Sequence, residues 1–279
     1  MKKTVWKRTV LVFAFVLLVA MLAAGCGAPA GPAPKPEPDP TPEQEAPVEK
    51  EEDGEASTYR DGTFEAVSQG NERGYVLVTL TVENDEVTGV TIVEFDGVGV
   101  EKIYEDYGKR FPMLEEAHNE LTARMVAENT WDVDVVSGAT STSEKTREAA
   151  RFALERAKAE PADSEHFDGT FMAISDITER GWGIAWVTLE NGDMTGIRLE
   201  ETTAAKEDGE DVFDEVGRQV FVLKSEEYPW APYHEAREAI SGDMLESQSP
   251  QVDTYTEATG SSERWIQAVE RAKDWAGTR

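Results

Sequence analysis

The chain has 279 residues, and its 56 acidic residues against 27 basic ones give a formal net charge of −29 at pH 7. This charge excludes nucleic acid as an expected partner, because a strongly acidic surface repels phosphates. The single cysteine excludes an intrachain disulfide and a cysteine-ligated cluster, and the three histidines are scattered, so we expect any redox cofactor to be organic and no metal site.

Residues 1–25 have the pattern of a secretory signal peptide, since basic residues near the start precede an apolar run over residues 10–24. The run ends in LAAGC at residues 22–26, which resembles a bacterial lipobox with the usual leucine one position early. This pattern predicts cleavage and lipid attachment at Cys26, and an uncleaved membrane anchor is the alternative. Either outcome places the rest of the chain at the cell membrane, on its extracytoplasmic face.

Residues 26–57 are rich in proline and then in glutamate. A segment of this composition cannot bury enough apolar surface to fold, so we predict a disordered linker. A polyproline-like chain rises ~3.1 Å per residue, which would carry the folded part on the order of 90 Å from the membrane.

The remaining sequence contains an internal duplication. Residues 59–66 (YRDGTFEA) return as residues 166–173 (HFDGTFMA), and an Arg-Gly step follows each copy. Two apolar or alternating segments then flank a turn in each copy, which predicts a β-hairpin, and Asn191-Gly192 is a strong tight-turn signal. The paired segments are residues 75–82 with 87–95, and residues 184–189 with 194–200.

A charged helical segment follows each hairpin, over residues 111–129 in the first copy and, after an insertion, residues 233–245 in the second. Each copy then closes with an aspartate, a hydroxyl-rich turn and a final helix. The predicted fold class is α+β, with two tandem modules of antiparallel hairpin strands plus helices, over residues 58–160 and 161–279. About a hundred residues is an ordinary size for one domain.

The first hydroxyl-rich turn is the stretch DVVSGATSTS at residues 134–143. An amphipathic segment follows it, and the spacing of Ser141 and Glu144 is that of a capping box, so we expect the helix to begin just after Thr140. Unpaired N–H groups and the positive end of the dipole at a helix start favour a phosphate. Gly138 allows close approach of the backbone, and the neighbouring hydroxyls can donate to phosphate oxygens or be esterified.

The pattern D-x-x-S-G-A-T-S-T, here residues 134–142, resembles the flavinylation motif of the FMN-binding domain family. That family includes the C subunit of the sodium-pumping NADH:quinone oxidoreductase, the G subunit of related ferredoxin complexes, and surface lipoproteins that pass electrons outside the cell. In the family, a flavin transferase moves FMN from FAD onto the last threonine of the SGAT tetrapeptide. The resemblance therefore implies covalent FMN, as a phosphoester, on Thr140. The implied cofactor-binding residues are Asp134, Ser137, Gly138, Ala139, Thr140, Ser141 and Thr142.

The alternative to flavin attachment is a purely structural role, in which the hydroxyl-rich segment only caps a helix. Trp131 lies three residues before Asp134 and is a candidate wall for a flavin ring, as are Tyr104 and Tyr107. Core packing is the more common role of such residues, so they are weaker candidates than the motif.

The second hydroxyl-rich turn, residues 253–262, aligns with the first and places Thr259 opposite Thr140. Glu257 replaces Gly138, and a carboxylate repels a nearby phosphate while its side chain blocks the close approach that glycine allows. We therefore expect one FMN per chain, with residues 161–279 an FMN-binding-like module whose motif is degenerate. Asp253 and the threonine are retained, so modification of Thr259 stays open.

Together these features predict a membrane-anchored, extracytoplasmic flavoprotein that relays electrons from a quinol-linked membrane donor to an extracellular acceptor. A carrier rather than a stand-alone enzyme suits a sequence without a cluster of catalytic acids, bases or nucleophiles. Two alternatives belong to other classes: a cell-surface binding module without flavin, and a flavin-dependent reductase of a small acceptor.

Overall fold

The computed structural model describes residues 57–160 and 162–279. The predicted signal peptide, the candidate lipidation site Cys26 and all of the predicted linker except Ser57 lie outside these residues. Both described ranges fall within one compact unit. No helix in these ranges is long and apolar enough to span a bilayer.

A three-stranded antiparallel sheet opens the first half, in the order β1 (Gly62–Val67), β2 (Tyr75–Glu83) and β3 (Glu86–Phe95). The predicted hairpin is confirmed as β2 and β3. Its turn residues Asn84 and Asp85 have left-handed φ values of 54° and 64°, a conformation that Asn and Asp adopt more readily than other non-glycine residues. Strand β1 was not predicted, because its six residues are too few for a distinctive alternation.

Three helices accompany this sheet: α1 (Tyr104–Arg110), α2 (Met113–Glu128) and α3 (Thr140–Ala157). Helix α3 packs on β1 and β2, while α2 packs on β3. The buried face of α3 consists largely of small apolar side chains at helical spacing, which allow helix and sheet to approach closely. These side chains, all buried, include Ala149, Ala150, Ala153, Leu154 and Ala157.

The second half also begins with three strands and ends with two helices that pack on them. Strands β4 (Gly169–Ile174), β5 (Gly183–Glu190) and β6 (Asp193–Ala204) form an antiparallel sheet. Helix α4 (Ala231–Ser247) packs against β6, and α5 (Thr259–Ala276) packs on β4 and β5. Helices and antiparallel sheets thus combine as the predicted α+β class requires.

The predicted insertion lies between β6 and α4. It contains the short strands β7 (Lys206–Glu207) and β8 (Glu210–Asp211), which pair with each other, and β9 (Phe221–Leu223), which pairs with β6. Arg218 of this insertion lies 3.0 Å from the Asp106 carboxylate on α1. The insertion therefore contacts the first half of the molecule.

Each half contains an equivalent hydrogen bond at its hairpin turn. The backbone N–H of Asn84 donates to Asp61 Oδ1, and that of Asn191 donates to Asp168 Oδ1, each at 2.7 Å. Each bond ties a hairpin turn to one copy of the repeated Asp-Gly-Thr-Phe segment. The repeat in the sequence therefore occupies equivalent backbone positions.

Aromatic residues join the halves into one core. Phe152 on α3 stacks on Phe167, with 4.2 Å between ring centroids, and tilts against Phe171 on β4 at 5.9 Å. The Trp182 indole N–H donates to Val98 O at 2.8 Å, so this buried polar group is satisfied across the boundary between the halves. The second half therefore supports the position of elements in the first.

Candidate functional site

The turn before α3 presents the predicted motif. Gly138 has a φ of +83°, a left-handed value that side chains disfavour, and it leads the chain into the helix. The Ser143 hydroxyl donates to Ala139 O at 2.9 Å and accepts from the Val136 N–H at 3.0 Å. Ser143, which is buried, therefore holds the turn from inside.

The predicted capping box is wrong. The helix begins at Thr140 with Ala139 at the N-cap position, so Ser141 already lies in the first turn and no side chain caps the helix. The first helical hydrogen bond runs from Ser143 N to Ala139 O at 2.9 Å. The N–H groups of Thr140, Ser141 and Thr142 precede it, and a helix leaves such groups for water or a ligand. The helix start can bind an anion without the predicted cap.

A cavity of about 580 Å³ opens at this helix start, and we refer to it as the first cavity. Its volume lies within the range of ligand sites. Its cations are Arg73, Lys102 and Lys145, its carboxylates are Glu72, Glu94 and Asp96, and its other lining residues are Gly97, Tyr107, Phe111, Gly138, Ala139, Thr140, Ser141 and Thr142. Five of the predicted cofactor-binding residues therefore share one cavity with three cations.

Two predicted cofactor-binding residues, Asp134 and Ser137, are not among the residues that line the first cavity. Both are exposed, and the Asp134 backbone oxygen accepts a hydrogen bond from Arg124 at 2.6 Å. Their roles stay predictions that depend on the resemblance to the flavinylation motif.

The motif hydroxyls differ in accessibility. Thr140 and Ser141 are exposed. Thr142 is only 5% exposed, and its Oγ1 donates to Glu94 Oε2 at 3.0 Å. Because a phosphoryl group can reach only an accessible oxygen, this arrangement favours Thr140 or Ser141 over Thr142 as a point of attachment.

A buried carboxylate that the sequence predictions omitted lies beside the motif. Glu94 Oε1 accepts from Lys102 Nζ at 2.6 Å, and His118 Nε2 lies 3.6 Å from Glu94 Oε2, which is longer than a hydrogen bond. Burial alone raises the pKa of this carboxyl, but His118, Lys102 and Thr142 together outweigh burial and lower the pKa from 4.5 to about 2. Glu94 is therefore ionised.

The alternation of side chains between the two faces of β3 is the sequence signal that could have identified Glu94 as buried. It lies two residues after Ile92 on β3, and both side chains are buried on the same face of the strand. The second half repeats the feature, since Glu201 on β6 is 1% exposed. A charged residue on a buried strand face, present in both copies, indicates a specific partner.

Lys145 adds a partly buried positive charge in the second turn of α3. Its Nζ donates to Asn71 Oδ1 at 3.0 Å and to Gly74 O. Burial, followed by the nearby Lys102 charge, lowers the pKa of Lys145. A bound anion would offset the repulsion between these two ammonium groups, so the first cavity is electrostatically suited to a phosphate.

Two aromatic side chains, Tyr107 and Phe111, line the first cavity. Of the aromatic residues proposed from the sequence, Trp131 and Tyr104 are not among its lining residues. The Tyr104 hydroxyl is instead hydrogen-bonded to His118 Nδ1 at 2.9 Å. Tyr107 is thus the proposed aromatic residue that the fold brings to the motif, and Phe111 was not foreseen.

The family model described as FMN-binding domain matches residues 72–155. This part of the chain is an FMN-binding domain. FMN is accordingly its cofactor, and the first cavity fits it through its cations, its two aromatic walls and an exposed hydroxyl at a helix start. The matched range runs from β2 through the motif into α3, which confirms the family resemblance.

Among solved structures, a crystal structure of the CPE2226 protein from Clostridium perfringens is similar to the chain, with 22% sequence identity and a TM-score of 0.31. The similarity covers 36% of this chain and 88% of that protein. No curated protein matches the chain.

The second half has the same kind of helix start with different residues. Helix α5 begins at Thr259, with Ala258 at the N-cap position, and Ser262 Oγ donates to Ala258 O at 3.0 Å. Glu257 occupies the position of Gly138 and keeps a left-handed φ of 70°. The turn therefore persists although its glycine is absent.

Proposed function

We propose that this protein is a membrane-anchored, extracytoplasmic flavoprotein that carries FMN as a phosphoester on Thr140 and relays electrons from a quinol-linked membrane donor to an extracellular acceptor. One observation carries the proposal: an exposed threonine begins a helix at a cavity of an FMN-binding domain, and three cations line that cavity beside the helix start. The family match indicates FMN as the cofactor, and the exposed hydroxyl of Thr140 offers a point of attachment.

Attachment at Thr140 is a phosphoryl transfer from FAD by a flavin transferase. Thr140 Oγ forms the new bond to the FMN phosphorus, the pyrophosphate bond of FAD breaks, AMP leaves, and the hydroxyl proton passes to a base of the transferase. The product is a phosphodiester with one negative charge. The N–H groups at the start of α3 and the ammonium groups of Lys102 and Lys145 favour that charge.

When bound, FMN supplies the redox chemistry, because it accepts and donates electrons. Tyr107 and Phe111, which line the first cavity, would offer apolar contact to its ring, and Arg73, Lys102 and Lys145 would bind its phosphate. An ester bond has an evident use outside the cell, where a dissociated cofactor is lost by dilution. The covalent link retains the cofactor regardless of its affinity.

We also propose that residues 161–279 form a second FMN-binding-type module that carries no flavin. The repeated strands, helices and turn hydrogen bonds support a duplication. The Glu257 carboxylate takes the place of Gly138, where it would repel a phosphate attached to Thr259. One FMN per chain is the result.

The proposed membrane anchor lies in residues that precede those described by the structure. A diacylated Cys26 would hold the chain at the membrane, and residues 26–57 would act as a tether to the folded part. We predict that fatty-acid labelling in a bacterial host marks the wild-type chain and leaves Cys26→Ser unlabelled. Label retained by Cys26→Ser would contradict lipidation at this residue.

The absorbance of unfolded, dialysed protein tests attachment. We expect chain produced together with a flavin transferase to stay yellow after denaturation, and its intact mass to show one FMN adduct. Thr140→Ala should lose both colour and adduct, whereas the matched variant Thr259→Ala should keep them. Colourless wild-type protein, or an adduct that survives Thr140→Ala, would overturn the attachment site, and two adducts would overturn the single flavin.

A further inference from the structure

A second cavity, of about 400 Å³, opens at the start of helix α5. Its position in the second half matches that of the first cavity, because Arg180 and Glu201 line it as Arg73 and Glu94 line the first. The sequence suggested no ligand at this place, since the attachment motif there is degenerate.

The two cavities differ in charge. Three cations and three carboxylates line the first, whereas Arg180, Lys224, Arg264 and a single carboxylate, Glu201, line the second. Lys224 Nζ and Arg264 Nη1 lie 3.0 Å and 2.6 Å from the same oxygen, Glu201 Oε1. Arg180 is exposed, and no ion pair among the described residues includes it. The second cavity therefore holds surplus positive charge in a chain that is acidic overall.

Aromatic side chains complete the second cavity. Tyr228 and Trp230 line it, and Trp230 is 39% exposed. Lys224 Nζ lies 4.6 Å from the centre of the Tyr228 ring, so a cation and an aromatic face are adjacent. An accessible tryptophan beside cations is suited to a planar ring that carries an anionic group.

Of the degenerate motif, Gly260 and Ser261 line the second cavity, but the three residues before them do not. Glu257, Ala258 and Thr259 are not among its lining residues, although their counterparts line the first cavity. The carboxylate that disfavours a flavin on Thr259 is therefore not part of the second cavity wall. The threonine hydroxyl is not part of it either, so a ligand there would be held without a covalent bond.

We propose that the second cavity binds a small aromatic molecule with a phosphate monoester, reversibly and without covalent attachment. A phosphate monoester carries about −1.5 to −2 charge at pH 7, against one negative charge for a phosphodiester, and the surplus cations match this difference. The ring lies against Trp230 and the phosphate faces Arg180. The proposal does not depend on flavin attachment at Thr140.

FMN and riboflavin are matched probes, because they share one ring system and differ in the phosphate. In equilibrium dialysis of the full chain with Thr140→Ala and Arg73→Gln, which removes a cation of the first cavity, we expect FMN to bind about tenfold more tightly than riboflavin. Arg180→Gln should remove this preference, and Trp230→Leu should weaken binding of both probes. Lys158→Gln, a control that removes an exposed charge lining neither cavity, should change neither affinity.

Equal affinity for the two probes would overturn the proposal. A preference that survives Arg180→Gln in this background would also overturn it, because the bound FMN would then lie outside the second cavity. Arg180 is exposed, so its substitution should leave the circular dichroism spectrum unchanged. The test uses protein without covalent flavin, so its result is independent of whether the wild-type chain carries flavin on Thr140.

Discussion

The ionised carboxylate of Glu94 links three segments around the first cavity. It accepts hydrogen bonds from Lys102, which precedes α1, and from Thr142 in the first turn of α3. Desolvation of a carboxylate is unfavourable, and removal of one partner from a buried pair leaves the other charge uncompensated. Glu94 therefore stabilises the fold only together with its partners.

We predict that Glu94→Gln lowers the free energy of unfolding at pH 7 by ~3 kcal/mol. The folded-state pKa lies below the usual 4.5, at about 2, so the carboxylate's contribution is present above pH 4.5 and is lost as the pH falls toward 2. In urea denaturation, the difference between wild type and variant should shrink over that interval. The control Glu120→Gln, at a half-exposed carboxylate, should have little effect, and a difference that persists at pH 2 would contradict the prediction.

At the scale of the element, the end of α2 is tied to the β2–β3 hairpin through one residue. Asn129 has a left-handed φ of 51°. Its Oδ1 accepts from the Val87 N–H at 2.8 Å, and its Nδ2 donates to Asp85 O at 3.2 Å. Gln248 makes the equivalent contact with the Met194 N–H in the second half, at 2.7 Å. These hydrogen bonds from Asn129 therefore fix the C-terminal end of α2 against the turn between β2 and β3.

Two substitutions separate the backbone and side-chain parts of this contact. Asn129→Gly keeps the left-handed conformation and loses only hydrogen bonds, so we expect a loss of ~1 kcal/mol in the free energy of unfolding. Asn129→Ala loses the hydrogen bonds and also disfavours the left-handed conformation, so we expect the free energy of unfolding to fall by ~2 to 3 kcal/mol. Urea denaturation of both variants measures the difference, and equal losses would show that the backbone conformation contributes nothing.

At the scale of the whole molecule, Arg156 holds the halves together. Its guanidinium donates to Glu65 O on β1, and to Trp275 O and Gly277 O at the end of α5, the last two at 2.9 Å and 2.6 Å. A cation at a helix C-terminus is also favoured by the helix dipole. One side chain thus satisfies carbonyl groups from both halves.

We predict that Arg156→Met lowers the free energy of unfolding by ~3 kcal/mol, because several carbonyl oxygens lose a charged donor together. Arg151→Met is the matched control on the same helix, since the Arg151 guanidinium lies over the Phe152 ring at 4.3 Å. We expect the control to lose no more than ~1 kcal/mol. Denaturation followed by tryptophan fluorescence and circular dichroism measures both, and similar losses would refute the special role of Arg156.

Features that are contiguous in the chain were predictable from it. The Asn191-Gly192 turn and the apolar face of α3 each appear as local pattern or spacing, and such patterns report local conformation directly. Residues 134–142 are also contiguous, so a stretch of nine residues sufficed for the family resemblance that the match over residues 72–155 confirms.

Only the tertiary structure decided which groups surround the motif. Arg73, Lys102 and Phe111 come from separate segments, and the packing of sheet and helices brings them into one cavity with Thr140. The capping prediction failed for a related reason, because the position of the helix start depends on the turn at Gly138 rather than on residue spacing alone. The spacing of residues in the sequence predicts single helices and strands, because each has its own period. Which distant residues become neighbours depends instead on how all the buried surfaces pack together.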